Sequence, residues 1–170
     1  PAATVFFWLI KILTTGMGEA TSDYLLDTVK PRWAPIISVG LVYAVVSAVQ
    51  ILSRRYHAGR YWAVVILVAV FGTMVADTID FKFHAPLYLW TPVFAAMVAA
   101  VLWAWWAVEG TLSIHSIFTR RREAAYWSVV FLTFVLGTAA GDWTASNLDD
   151  GNFGSGILFL ARMMLPRIGF

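Results

Sequence analysis

The sequence contains no cysteine, which excludes disulfides, iron–sulfur clusters and thiolate zinc sites. Charge is also scarce. Asp, Glu, Lys and Arg make up 13% of the 170 residues, where an ordinary soluble domain carries roughly 25%. The charges nearly cancel, to a formal +2, and no basic stripe interleaves with exposed aromatics, so nucleic acid is not an expected partner. Signatures of catalysis are missing as well: there is no Gly-x-Ser-x-Gly, no phosphate loop, no His-Glu-x-x-His and no pair of haem-ligand histidines on facing spans. The chain is not expected to be an enzyme or to carry a cofactor.

What the sequence has in excess is apolar material. Hydrophobic residues make up 60%, and the mean hydropathy is +0.73. One core of this size cannot hide that much, so the lipid bilayer is the expected partner for the remainder. Four stretches, Trp33 to Ser53, Tyr61 to Ala76, Phe83 to Val108 and Ala124 to Gly141, contain no Asp, Glu, Lys or Arg. A helix needs roughly 20 mostly apolar residues to cross the hydrocarbon. With polar ends allowed, the pattern predicts helices near 5–27, 34–53, 61–80, 86–108, 124–146 and 153–168, the last interrupted by Arg162. Membrane strands are not expected, because the runs are too long and do not alternate. The expected fold is all-α: a polytopic membrane bundle of about six transmembrane helices in one domain. The chain opens on Pro1, so it is expected to be processed, trimmed or incomplete at its start, and residues 1–10 read as the beginning of a helix rather than a signal peptide.

Lys and Arg set the orientation. The second connection carries Arg54, Arg55 and Arg60, and the fourth carries Arg120, Arg121 and Arg122. The odd connections hold the acids Asp27, Asp77, Asp80, Asp142, Asp149 and Asp150. The N-terminus is therefore expected in the cytoplasm, within a bacterial cytoplasmic (inner) membrane.

One pattern occurs three times. Phe7-Trp8 is followed by Gly18-Glu19 and Asp23; Tyr61-Trp62 by Gly72-Thr73 and Asp77; Tyr126-Trp127 by Gly137-Thr138 and Asp142. The Trp-to-Gly and Gly-to-Asp spacings are identical in all three. Each copy opens an odd-numbered helix, and a plainer apolar helix follows it. The unit is a helix pair, with copies over about 5–54, 60–110 and 124–170, the last incomplete. All copies point the same way through the membrane, as a parallel repeat. The Trp is accounted for as an interfacial anchor, and the Gly by close helix packing, expected at Gly18, Gly72 and Gly137. Neither reason accounts for the Asp.

The segment Lys11-Ile-Leu-Thr-Thr-Gly-Met-Gly-Glu19-Ala-Thr-Ser-Asp23 resembles the signature of a bacterial membrane-protein family built of tandem two-helix repeats of unknown function, each with a characteristic Trp. The likeness extends over nearly the whole chain and is looser in the second and third copies. Family members usually carry four repeats, hence eight helices, which implies that this chain is either a fragment or a short relative. The resemblance brings no activity with it.

Function must come from the residues. Lys11, Thr15, Glu19, Asp23 and Asp27 recur every four positions and form one polar stripe on the first helix. Ionisable groups inside a span cost roughly 2.5–3.5 kcal/mol each on insertion scales and normally face the bundle interior, where they mark ion or proton paths. Glu19 and Asp23 are expected to turn inward with Lys11 and at least one of Asp77 and Asp142, and to matter more than those two. Carboxylate and hydroxyl oxygens suit hard cations or protons. The plainer account is that Lys11 pairs with Glu19 and locks helices together, and that each Asp ends its helix at the interface. His57 and His115 read as solvated; His84, near Asp77 and Asp80, reads either as a plain polar residue or as an aid to a metal entrance. Arg162 needs a partner such as Asp142 or Glu19, or else snorkels. Asp149-Asp150 reads as an exposed turn. The ion-binding or translocation residues are thus Lys11, Thr15, Glu19, Asp23, Asp77 and Asp142. The expected function is transport of a small cation, with proton coupling as one form of it. The rival expectation is a non-transporting accessory or assembly subunit, in a homo-oligomer or a larger membrane complex.

Overall fold

A computed structural model describes residues 5–53, 57–83, 87–113 and 119–147. Within them the chain forms five helices: α1 (Val5–Thr28), α2 (Trp33–Leu52), α3 (Ala58–Phe83), α4 (Leu87–Glu109) and α5 (Arg120–Asn147). There are no strands among the described residues. The sixth helix expected over 153–168, together with Arg162, His84, His115, Asp149 and Asp150, lies outside the described residues. The other five differ from the expected bounds by a few residues at each end. The largest difference is at α5, which begins at Arg120, so Arg120, Arg121 and Arg122 form its first turn rather than a connection. Thr119 explains the early start: its side-chain oxygen accepts the Arg122 amide at 3.3 Å, and its carbonyl accepts the Glu123 amide at 3.0 Å. At the other ends, Lys30 Nζ donates to the Leu26 carbonyl at 3.0 Å beyond α1, and Gly110, at φ 67°, closes α4 in the left-handed region that favours glycine.

Four helices, α2 to α5, are long and apolar enough to cross a membrane. At 24 residues α1 has the length, about 36 Å at 1.5 Å per residue, but Lys11 and Glu19 interrupt its apolar stretch. The chain is a helical membrane protein whose outer faces are made for lipid. Along α2, Trp33, Ile37, Leu41, Val45, Val49 and Leu52 form one exposed apolar stripe at nearly four-residue spacing.

The central element is α3, which packs against α1, α2 and α5, while α4 packs against α5. Val64, Val65, Val68 and Met74 of α3 are fully enclosed. The two helices of a repeat copy have little to do with each other: α2 leans on α3, and α4 on α5. The repeat is therefore not a self-packed hairpin. Each plain helix covers the motif helix of the following copy, so the copies interlock through α3 and α5. The three motif helices stand in a row, α1–α3–α5, with α1 and α5 on either side of α3 and barely touching each other.

Candidate functional site

The repeat places its polar residues in levels along the motif helices. Asp23, Asp77 and Asp142 occupy one level, and Glu19, Thr73 and Thr138, four residues earlier, occupy the next. All three Asp residues lie inside their helices, five or six positions before the ends at Thr28, Phe83 and Asn147. They do not cap: carboxylates near a helix C-terminus oppose the macrodipole.

Asp77, on the central helix, is half-buried and accepts a hydrogen bond from Ser22 Oγ of α1 at 3.3 Å. It lies within electrostatic reach of Asp142 on α5 and of Asp23 and Glu19 on α1. Asp142 in turn feels Glu19, Asp80 and Asp23. One level in, the hydroxyls of Thr73 and Thr138 meet at 3.4 Å. Five acids from three helices thus share one electrostatic neighbourhood, with two hydroxyls one turn along.

The sequence placed Glu19 and Asp23 in the protein interior. Both are exposed, as are Asp142 and Thr15, and only Asp77 and Lys11 are half-buried. The reason is the row of helices. With α1 and α5 flanking α3, the stripe of α1 faces an open cleft above α3 rather than a closed axis. The Lys11–Glu19 pairing of the plainer account does not form either. Lys11 Nζ instead sits 5.2 Å from the centroid of the Phe134 ring on α5, and a cation over an aromatic face is attracted by the ring quadrupole. Thr15 does not bridge the two, since its hydroxyl bonds back to the Lys11 carbonyl at 2.9 Å. The acids are accordingly left without compensation from Lys11. Among the described residues, no three His, Asp or Glu side chains are close enough to hold one metal ion. The cleft gathers negative charge without forming a chelating cage.

The sequence reading missed Ser22. It is fully buried and holds Asp77, yet the matching positions in the other copies are Ala76 and Gly141. Only the departure from the repeat at this position signalled it. His57, read as solvated, is exposed.

A repeat family described as "Repeat of Unknown Function (DUF347)" matches residues 6–56, 60–111 and 125–166, and each match contains one copy of the aromatic-Trp, Gly and Asp pattern. No curated protein and no solved structure is similar to the chain at a significant level.

Proposed function

We propose that this chain, which belongs to the DUF347 repeat family, carries a small cation or protons across a membrane through the cleft between α1 and α5. One observation supports this most: Asp77, half-buried on the central helix, lies within reach of Asp142, Asp23 and Glu19. Like charges gathered beside a lipid-covered bundle repel each other and carry a desolvation cost, and a passing cation relieves both. With no three acids among the described residues arranged to chelate one ion, the cleft favours transient occupancy, and conduction needs sites weak enough to leave. The orientation that goes with this reading puts the N-terminus in the cytoplasm of a bacterial cell, with the acidic ends of the motif helices on the outer side of the cytoplasmic membrane.

Flux in reconstituted vesicles tests the reading. The Glu19→Gln, Asp23→Asn double variant removes the two α1 acids that neighbour Asp77 and leaves Asp27. Both side chains are exposed, so folding should be unaffected. Cation or proton flux driven by an imposed gradient is expected to fall to the level of empty vesicles. Full flux in the folded double variant would sink the transport reading and favour a non-transporting membrane subunit.

A further inference from the structure

Two interfaces inside this chain are the same interface in the same register. A Cβ built on Gly18 of α1 would lie 2.5 Å from Ala69 Cβ and 3.1 Å from the Val70 nitrogen of α3. A Cβ built on Gly72 of α3 would lie 2.9 Å from Phe134 Cβ and 3.6 Å from the Val135 nitrogen of α5. Gly18 and Gly72 are equivalent in the repeat, and so are Ala69-Val70 and Phe134-Val135. The aromatic ends agree: the Phe7 ring lies 5.8 Å from Trp62, and the equivalent Tyr61 ring 5.6 Å from Trp127. One operation, applied twice, carries α1 to α3 and α3 to α5.

The third copy of each half of this contact is present; Tyr126 is half-buried, its hydroxyl 3.4 Å from that of Tyr61, and the rest is uncovered among the described residues. On α5 the glycine half is Tyr126 and Gly137. On α1 the receiving half, read in the same register, is Trp8, Thr15 and Gly16. Among the described residues, neither Gly137 nor Gly16 has anything within 4 Å of a built Cβ. Gly137, Thr15, Gly16 and Trp8 are all exposed. Among the described residues these two edges do not meet each other.

We propose that a second copy of this chain docks its α1 on α5, so that Tyr126 and Gly137 of one copy meet Trp8, Thr15 and Gly16 of the other. Small residues at the meeting point suit this, because helices associate in lipid through close backbone approach rather than through a hydrophobic driving force. Direction suits it too. The motif helices run parallel, so a second copy inserted with the same topology presents α1 in the sense that α3 and α5 already have. The contact joins two different surfaces of one molecule, so it is heterologous and repeats from copy to copy until a ring closes. It also places Glu19 of the second copy beside Thr138, as Thr73 stands beside Thr138 within the chain. The interface stands on packing alone and is independent of whether the cleft conducts ions.

The absence of native cysteine makes the test direct. Thr15→Cys in a copy with one tag and Gly137→Cys in a copy with another are co-expressed, and the membranes are oxidised. Both positions have open space, so the substitutions leave the fold intact. The expected product is a covalent dimer carrying both tags, formed in the mixture and absent when either variant is oxidised alone. Light scattering of the native protein in mild detergent, corrected for bound detergent, is expected to give a multiple of 18.9 kDa. Gly137→Trp should return it to a single chain with unchanged helical circular dichroism. A native mass of one chain, with no two-tag species although both cysteines react with a permeant maleimide, overturns the proposal. So does a Gly137→Cys protein that is monomeric and shielded from maleimide, because residues 148–170 of the same chain then cover α5.

Discussion

Every carboxylate in this cleft shares a neighbourhood with others of its own sign, but the cost falls unevenly on individual residues. Glu19, Asp23 and Asp142 are exposed on the flanking helices, whereas Asp77 is half-buried on the central one and held by Ser22. The sequence alone ranked Glu19 and Asp23 above Asp77, because α1 has the densest polar stripe; stripe density says nothing about which helix ends up in the middle. Asp77→Asn is therefore expected to give the largest single loss of flux. Removing one charge from an oxygen-lined site typically costs about tenfold or more in cation affinity, which appears here as a raised half-saturating cation concentration. Asp80→Asn, at an exposed position one turn further along α3, should stay within about twofold if only screened surface charge is lost. Equal losses at 77 and 80 would show that diffuse surface charge, not the Asp77 position, sets the flux.

At the scale of the helices, the glycine positions set the geometry. The repeat spacing predicted close approach at Gly18, Gly72 and Gly137 alike. Two of them meet a neighbouring backbone, and Gly137 meets nothing among the described residues. The repeat was legible because spacing survives in sequence. Which glycine stays uncovered among the described residues was not, because spacing does not say which helices end up side by side. The sequence identified the helix pair as the repeated unit but not its packing, in which α2 and α4 each cover the following motif helix. Hydropathy identifies an apolar helix but not the helix it leans on. Gly72→Leu tests the packing. The new Cβ would come 2.9 Å from Phe134 Cβ, with the Val135 nitrogen at 3.6 Å and the Phe131 carbonyl at 3.8 Å, so α3 and α5 must separate. Overpacking of this kind costs typically about 1–3 kcal/mol, expected as a lower midpoint in denaturing-detergent titration. Gly59→Leu, where a built Cβ meets nothing, should leave the midpoint unchanged or raise it slightly. Equal destabilisation at the two positions would remove the close approach as the explanation.

For the whole molecule, the question is which way the bundle sits in its membrane. The helices are apolar along their length, so the decision rests with their ends. At one end of α5 lie Arg120, Arg121 and Arg122, with Arg122 Nε bonded to Glu109 Oε2 of α4 at 2.6 Å. The neighbouring acid Glu123 accepts from Gln50 Nε2 of α2 at 2.8 Å, so the ends of α2, α4 and α5 gather at this side. At the other side lie the ends of α1, α3 and α5, with Asp27, Asp80 and Asp142. The two sides thus differ in sign, and basic ends are retained in the cytoplasm during insertion, while acids contribute little to the choice. The pair between Arg122 and Glu109 neutralises one arginine, but Arg120 and Arg121 are exposed and keep the bias. Single cysteines placed into this cysteine-free chain read the outcome directly. In intact cells, Cys at positions 55 and 121 should resist an impermeant maleimide, while Cys at 80 and 149 should react. Reaction at 55 and 121 with protection at 80 and 149 would reverse the orientation and put the acidic cleft mouth on the cytoplasmic side. The bundle and its cleft would be unchanged by that result, but the direction from which a cation first meets Asp77 would be inverted.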